Sequence, residues 1–437
     1  MSTVVQDQDI RELELPGGVQ QALGELVQDA KQGLLALSVG VGLGVLQELM
    51  ELEIEEVVGP KGKHNPERVA VRHGYENGEV TLGGRRVGVR RPRARTVEGE
   101  EVHIASYTQF ASRDPLSAVI LEQLLARVST RRFARTREPV GERASAGERA
   151  VSKSAVSRAF ISRTRDQLQA LMSRDLADLR IAVLMIDGID LKGRTNVVAL
   201  GVTTEGEKYA LGLWEGSTEN TTVAQALLAD LVARGLDPEQ GVLVVIDGAR
   251  ALRKAVRTVL GEHTPVQRCI RHKERNVLDH LPNEDRPIVQ RRLRAAWALQ
   301  SHRSALRALT QLAEELSHTH PGAAASLREG MEETLTATRL GARGHLKRSL
   351  QSTNPCESMI ECLRRTAGNV KRWRNGDMAL RWTAAGMLEA ERRFQHLQGH
   401  TDLADIAVQI EREMTHQLSL QASLTTPTQE TGTLTTT

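Results

Sequence analysis

Two stretches of the chain share one pattern, an apolar run that ends in aspartate and glycine. They are Ile181–Gly188 (IAVLMIDG) and Val242–Gly248 (VLVVIDG). Short apolar runs rich in β-branched residues indicate strands buried on both faces, as in α/β proteins. A right-handed crossover through a helix predicted at 221–234 makes the two strands parallel. If they are neighbours in the sheet, Asp187 and Asp247 lie side by side at its edge.

A third acid, Glu357, stands near the start of a later predicted helix. Carboxylates on rigid elements suit magnesium, and three are the smallest plausible set for a pair of ions. Each acid also has an ordinary explanation. Asp247 can cap the next helix, Glu357 can complete a capping box begun by Asn354, and Asp187 can bond a turn. The ordinary explanation is favoured for each acid singly, but the two matched stretches together favour a site.

Two further acids and a Cys-His pair lie near these positions. Asp190 is an odd number of steps from Asp187 along the strand, so we expect it to point away. Glu361 is one helical turn from Glu357 and could substitute for it or assist it. Cys269-Ile-Arg-His272 lacks the four ligands of a structural zinc site, so its residues alone predict a buried cysteine and a structural histidine.

Composition sets limits on the class of protein. The 437 residues allow two or three domains, and with 3% aromatic residues their cores must be largely aliphatic. The net charge of +3 is unremarkable for the whole chain. Three widely spaced cysteines argue against a disulfide framework. The N-terminus lacks a signal-peptide pattern and the early apolar segment is too short for a membrane span, so we expect a soluble, intracellular protein.

The N-terminal region predicts helices over 17–58 and then a β-hairpin over 74–92 with a Gly-Gly turn. The second arm of the hairpin is dense in arginine. It can be a ribbon that contacts DNA phosphates or a solvated edge protected by charge, and the residues favour neither. The candidate phosphate contacts are Arg85, Arg86, Arg90, Arg91 and Arg93.

A helix is predicted at 151–163, after a charged stretch at 137–149. Its polar face, which includes Lys153 and Arg158, fits the recognition helix of a helix-turn-helix, although any amphipathic helix has such a face. The predicted cap is Ser152. The predicted buried face consists of Ala155, Val156, Ala159 and Phe160.

Residues 276–350 read as helical and polar, with Trp297 on an aliphatic face. Trp297 can stack on an unpaired base or, as is favoured, lie in the core of this helical region. A basic group follows Glu357 and is expected to grip the DNA backbone. It consists of Arg364, Arg365, Lys371, Arg372 and Arg374. The Thr-rich tail, 421–437, is predicted to be disordered.

These motifs resemble those of the Mutator-type transposases of bacterial insertion sequences. The resemblance covers about residues 60–400, and the Arg-rich hairpin also looks like the family's N-terminal region. The matching motifs are Ile186-Asp-Gly-Ile189 with Lys192, Val244-Val-Ile-Asp-Gly248, Gln267-Arg-Cys-Ile-Arg-His-Lys-Glu-Arg-Asn276 and Ser352-Thr-Asn-Pro-Cys-Glu357.

The resemblance implies an RNase H-like α/β core, interrupted by an all-helical insertion and preceded by a mainly helical DNA-binding region. It implies that Asp187, Asp247 and Glu357 are the catalytic acids and hold two Mg²⁺ ions, for which Mn²⁺ can substitute. Cys269 and His272, with Asn354 at the start of the helix, are expected to support the site. The implied reaction cuts DNA at terminal inverted repeats and joins the freed 3′-OH ends to target DNA. Joining two ends suggests at least a dimer on double-stranded DNA, with no membrane involved. The resemblance also implies a location in the bacterial cytoplasm, associated with the nucleoid.

Two other functions stay open. One is a non-catalytic DNA-binding protein, either a regulator or a decayed transposase, and the other is an RNase H-like nuclease without strand transfer. The expected domains are an N-terminal helical and hairpin region, a helix-turn-helix-like region, a first core part, the helical insertion, a last core part with Glu357, and the tail. Their bounds are 1–110, 111–175, 176–275, 276–350, 351–420 and 421–437.

Overall fold

The computed structural model describes residues 34–60, 68–82, 85–112, 117–128, 153–191, 193–216 and 220–425. The chain forms two compact units, Met1–Ser162 and Arg163–Thr437. In the parts of the chain that the structure describes, none of the helices is both long and apolar enough to cross a bilayer.

The N-terminal unit is built on a helix and a hairpin. One face of the helix packs on the hairpin, because Leu46, Met50 and Ile54 recur at helical spacing and are buried with Val80 and Val87 of the strands. The predicted hairpin is confirmed and is longer than expected, while its Gly-Gly turn lies outside the described residues. The elements are α1 (Leu34–Val58), β1 (Ala70–Leu82), β2 (Arg85–Thr96), α2 (Ala105–Ser112) and α3 (Ser117–Leu125).

Helix α4 (Lys153–Met172) confirms the helix predicted at 151–163 and extends it. Val156 and Phe160 are buried, and Lys153 and Arg158 are exposed, as the pattern predicts. The charged stretch at 137–149 and the Ser152 cap lie outside the described residues, as does the predicted helical segment at 17–33. The division between the two units falls within this helix.

The C-terminal unit contains a five-stranded mixed sheet in the order β5-β4-β3-β6-β7. The first three strands are antiparallel neighbours, and β6 and β7 continue the sheet in parallel. The predicted parallel pairing of the two apolar-Asp-Gly strands is therefore confirmed. The strands are β3 (Ile181–Asp190), β4 (Thr195–Thr203), β5 (Lys208–Gly216), β6 (Leu243–Ile246) and β7 (Val266–Arg268).

Helices cover both faces of this sheet. Leu184 and Ile186 of β3 point into one core, which includes helices α5 (Thr221–Ala233) and α6 (Arg250–Leu260). Val183 and Met185 point into the opposite core. That core includes α13 (Asn354–Thr366), α14 (Gly376–Glu391) and α15 (Leu403–Thr425). Alternate side chains of one strand are thus all buried, which explains its unbroken apolar run.

The predicted helical region between β7 and Glu357 is confirmed and has an aliphatic core of its own. The region is not continuously helical, because the helix that starts at Pro321 ends at Arg328. Gly330, with φ of 61°, then turns the chain into a short 3₁₀ segment. The helices are α7 (Ile270–Leu278), α8 (Arg286–Ala298), α9 (His302–Thr319), α10 (Pro321–Arg328), α11 (Thr336–Arg339) and α12 (Gly344–Leu350).

The predicted disordered tail needs one correction. Helix α15 continues to Thr425, so residues 421–425 are helical, and only 426–437 lie outside the described residues. Heptad-like apolar spacing in Leu403, Ile406 and Ile410 buries this helix against the sheet. The last described element of the C-terminal unit is therefore a helix packed on its sheet.

Candidate active site

Two acids meet at one edge of the sheet. The parallel register pairs Met185 of β3 with Val245 of β6. Asp187 and Asp247 each follow this last pair by two residues, Asp247 just past the end of β6, and the charge of Asp247 acts on Asp187. Gly248 follows with φ of 102°, and a Cβ there would lie 2.0 Å from Nε of Arg268. The glycine after the second acid is therefore required by close packing.

Asp187 is the most buried of the candidate acids, with 8% of its surface exposed. Its Oδ1 accepts a hydrogen bond of 2.8 Å from the N–H of Gly188. The pKa of Asp187 is raised to about 6, mainly by burial and also by the negative charges of Asp247 and Glu357, although the Gly188 hydrogen bond and the charge of His272 lower it. The three acids therefore act on one another electrostatically, and a cation among them would relieve this repulsion.

Asp247 bonds the turn that precedes helix α6. Its Oδ1 accepts a hydrogen bond of 2.8 Å from the N–H of Ala249, at the residue before helix α6. The predicted cap is wrong, because α6 begins at Arg250 and has no side-chain cap bond; Asp247 instead bonds the turn before the helix. That bond fixes one carboxylate oxygen and leaves the second available to a metal ion.

Glu357 stands on the first turn of α13, and Thr353 precedes that helix. The hydroxyl of Thr353 donates a hydrogen bond of 3.0 Å to Oε1 of Glu357. The capping-box interpretation is wrong, because the helix begins at Asn354 and Thr353 makes no side-chain cap. Asn354, expected to support the site, is exposed. Thr353 is the contacting residue that the sequence interpretation missed, since Asn-Pro is the stronger sign of a helix start.

The Cys-His pair lies against these acids. Cys269 is fully buried, and its N–H donates a hydrogen bond of 2.8 Å to the carbonyl of Ile246, directly before Asp247. Its Sγ is 3.6 Å from Oγ1 of Thr353. Nε2 of His272 is 3.9 Å from Oε1 of Glu357. Cys269 and His272, for which the sequence by itself predicted only structural roles, thus lie next to the candidate acids.

Charge couples this pair to the acids. The pKa of His272 is raised to about 9. The hydrogen bond and charge of Cys269 raise it most, the charges of Asp187 and Asp247 also raise it, and burial lowers it. Burial raises the pKa of the Cys269 thiol, but hydrogen bonding to His272 and Thr353 outweighs it and lowers that pKa overall. A protonated imidazole therefore faces the carboxylates at neutral pH.

The rival acids lie apart from this cluster. Asp190 is exposed at the end of β3, as its odd spacing predicts, and accepts a hydrogen bond of 2.9 Å from the N–H of Gly193. Glu361 is exposed one turn further along α13. Neither is among the acids that shift the pKa of Asp187. Both suit use as control positions.

The predicted DNA-contacting side chains differ in their surroundings. Those after Glu357 are all exposed: Arg364, Arg365, Lys371, Arg372 and Arg374. Arg364 and Arg365 lie on the last turn of the helix that carries Glu357. Along a helix, that is roughly 11 Å from the acid.

The hairpin arginines have acidic or aromatic partners. Arg86 pairs with Glu79 at 2.9 Å, Arg91 with Glu76 at 2.9 Å and Arg93 with Glu101 at 2.8 Å. The guanidinium of Arg90 lies 4.7 Å from the ring centre of Tyr75. The side chain of Arg85 lies outside the described residues. Such pairing is what the charge-protected edge predicts, and contact with DNA stays a prediction.

Trp297 lies in the core of the helical region that follows β7. It is 2% exposed, and its Nε1 donates a hydrogen bond of 3.1 Å to Oγ1 of Thr334 within the helical core. A ring enclosed in this way cannot stack on a base without unfolding its surroundings. The core role, favoured over base stacking from sequence, is the one that the structure shows.

Comparison with known proteins shows that the chain belongs to the class of transposases. The transposase for insertion sequence element ISRM5 of Rhizobium meliloti is 28% identical over 373 residues, which is 83% of this chain and 89% of that protein. The transposase for IS1081 of Mycobacterium tuberculosis is 26% identical over 356 residues, 78% of this chain and 80% of that protein. The transposase for IS6120 of Mycolicibacterium smegmatis is 30% identical over 206 residues, 46% of this chain and 62% of that protein.

The sequence model of the Mutator family of transposases matches residues 20–396. The chain therefore belongs to the Mutator family, and the resemblance seen in its motifs is confirmed. The matched region includes all three candidate acids and the Cys-His pair.

Proposed function

We propose that the chain is a DNA transposase with an RNase H-like core, in which Asp187, Asp247 and Glu357 are the catalytic acids. The observation that supports this most strongly is the convergence of the acids. The parallel register sets two of them side by side, and the charge of the third reaches the same buried carboxylate. Membership of the Mutator family supports the same conclusion.

The side chains fit a divalent metal. Carboxylate oxygens are the ligands that Mg²⁺ prefers, and the raised pKa of buried Asp187 reflects burial together with a local excess of negative charge. Asp187, Asp247 and Glu357 would hold two Mg²⁺ ions, with Mn²⁺ as a substitute. When bound, such ions stabilise charge on the attacking and leaving oxygens of an in-line displacement at phosphorus.

The protein's own groups prepare this site. The N–H groups of Gly188 and Ala249 hold the two strand-end carboxylates, and the Thr353 hydroxyl orients Glu357. Cys269 and His272 support the cluster from the side. The exposed basic residues after Glu357 bind the DNA backbone. The substrates are the terminal inverted repeats and target DNA, and joining two ends in one event requires at least two copies of the chain.

The test is cleavage of end DNA in the presence of Mg²⁺ by wild type and by Glu357→Gln. Losing one of three metal-binding carboxylates removes several kcal/mol of transition-state stabilisation, so we expect a rate about 10³-fold lower. Glu361→Gln is the matched control, because it removes the same charge from the same helix at an exposed position. A Glu357→Gln rate within a few-fold of wild type would exclude the proposed site.

Strand transfer separates the proposal from its alternatives. With a pre-cut 3′-OH end, a transposase joins that end to target DNA, whereas a nuclease of the same fold only cuts. A non-catalytic DNA-binding protein binds equally well with Asp187→Asn and produces neither product. Joined product that is lost in Asp187→Asn supports transposition.

A further inference from the structure

The Cys-His pair and Glu357 form a second possible ligand set beside the acids. The Sγ of Cys269, a ring nitrogen of His272 and a carboxylate oxygen of Glu357 all lie within 4.8 Å of one another. Cys269 comes directly before helix α7 and His272 is on its first turn, so both side chains project from the same end of one helix. Glu357 projects from the first turn of a different helix.

The chemistry of this set differs from that of the acid cluster. Magnesium prefers oxygen ligands, whereas a thiolate, an imidazole and a carboxylate are the ligands of Zn²⁺ and similar ions. Three protein ligands with a fourth position open to water form a common zinc arrangement. The side chain of Glu357 is 43% exposed, so water can reach the set from that side.

A second observation points to a ligand. Within the described residues, Nδ1 of His272 is buried and meets no partner at hydrogen-bond geometry, although the ring interacts with the Cys269 thiol and its Nε2 faces Glu357. A buried polar atom in this situation is destabilising. An ion held by Cys269 and Glu357 would give the ring a partner to coordinate.

We propose that Cys269, His272 and Glu357 form a binding site for Zn²⁺ or a similarly thiophilic divalent ion, and that filling it draws Glu357 away from Asp187 and Asp247. Binding releases to solvent both the proton of the His272 imidazolium and the proton of the Cys269 thiol, so the ion is held by a neutral imidazole and a thiolate. The Thr353 hydroxyl, which contacts both Sγ of Cys269 and Oε1 of Glu357, holds two of the ligands together. An ion here inhibits the transposase, and this second statement rests on the proposed function.

Binding is tested with Co²⁺ and the metal-free full-length protein, without DNA. A thiolate ligand gives Co²⁺ an intense near-ultraviolet charge-transfer band. We expect this band to saturate at one Co²⁺ per chain and to disappear when Zn²⁺ is added. Cys269→Ser is expected to lack the band, while Cys362→Ser, which changes another buried thiol, keeps it. A wild-type protein without the band, or a Cys269→Ser protein with it, would overturn the site.

Glu357→Gln covers the case in which Cys269→Ser fails to fold. Its side chain is partly exposed, so folding is expected to survive, and the thiol remains in place. We expect the charge-transfer band to persist with a Co²⁺ dissociation constant raised at least about 10-fold, a typical loss when a metal site is weakened. An unchanged dissociation constant excludes Glu357 as a ligand of this ion, and with it the proposal that the ion competes with the acid cluster for Glu357.

Inhibition is tested by adding Zn²⁺ to the Mg²⁺-dependent cleavage reaction. Each variant is compared with its own rate without Zn²⁺. We expect the Zn²⁺ concentration for half inhibition to rise at least about 10-fold in Cys269→Ser, in parallel with the lost affinity. Equal sensitivity of the two proteins excludes control through this site. The Co²⁺ result needs no DNA, so it stands or falls separately from the transposase activity.

Discussion

At the scale of single residues, the buried carboxylate of Asp187 lowers the stability of the folded chain. A carboxylate whose pKa is about 6 in the folded chain, above its ordinary 3.8, disfavours folding when it is ionised. This cost is absent below about pH 4, grows between pH 4 and 6, and is complete above pH 6. The metal-free protein therefore carries it in full at neutral pH.

We predict that Asp187→Asn raises the free energy of unfolding of the metal-free protein at pH 7 by about 2–3 kcal/mol, since a pKa difference of one corresponds to about 1.4 kcal/mol. The gain is expected to vanish near pH 4. Urea unfolding with a chelator present, repeated from pH 4 to 8, measures both. Asp190→Asn is the control, because that side chain is exposed. A gain that does not change with pH contradicts the electrostatic explanation.

Thr353 gives a second prediction at this scale. Thr353→Val keeps the volume of the side chain and removes the hydroxyl that bonds Glu357 at 3.0 Å. A misplaced catalytic group commonly costs about 10²-fold, so we expect cleavage to slow by about 10- to 100-fold and to require more Mg²⁺. Thr353→Ser, which retains the hydroxyl, should recover most of the rate. Equal rates for the valine and serine variants would assign Thr353 to packing alone.

At the scale of secondary structure, Trp297 lies in the core of the helical region between β7 and Glu357. We predict that Trp297→Ala lowers the free energy of unfolding by about 3–5 kcal/mol, as is usual for a buried aromatic residue, and that Trp297→Phe costs less. Cleavage by the folded fraction is expected to be unchanged, because the ring is enclosed. Chemical denaturation and single-turnover cleavage measure the two effects. Slower cleavage by a fully folded Trp297→Phe protein would support a role for the Trp297 ring in binding DNA.

The basic segment after α13 is exposed, whereas Trp297 is buried. We predict that replacing Lys371, Arg372 and Arg374 with Gln weakens binding to every DNA sequence and makes the salt dependence less steep, by up to about 0.9 per lost phosphate contact. Titrations at several salt concentrations measure the slope. Arg292→Gln is the control, because Arg292 is paired with Glu315 on the surface of the insertion. A loss of affinity for one sequence only would indicate base contacts instead.

The elements differ in how far the sequence could predict them. The apolar-Asp-Gly strands were predictable, because burial on both faces leaves an unbroken apolar run and the crossover rule makes the strands parallel. The two aspartates followed from that register. Thr353 could not be predicted, because its contacts depend on a helix start displaced by one residue and on a thiol 84 positions away. The ion pair of Arg93 with Glu101 also depends on the fold of the hairpin rather than on any local motif.

At the scale of the whole molecule, the candidate site belongs entirely to the C-terminal unit. All three acids, Cys269, His272 and Thr353 lie in Arg163–Thr437, which has its own aliphatic cores. The end of helix α4 belongs to the same unit. Its Leu171 is buried in the sheet core, and the hydroxyl of Thr164 accepts a hydrogen bond of 2.9 Å from buried Arg381.

We predict that a fragment of residues 153–437 folds on its own, whereas a fragment that begins at 173 is less stable by several kcal/mol. The shorter fragment loses the apolar surface of Leu171, worth about 1.5–3 kcal/mol, and leaves Arg381 without its Thr164 partner. Urea unfolding followed by circular dichroism compares the two. Equal midpoints would show that the helix does not belong to the unit energetically. A fragment 153–437 that gives no cooperative transition would show that the N-terminal unit is needed for folding, because the cores of the C-terminal unit would then be insufficient by themselves.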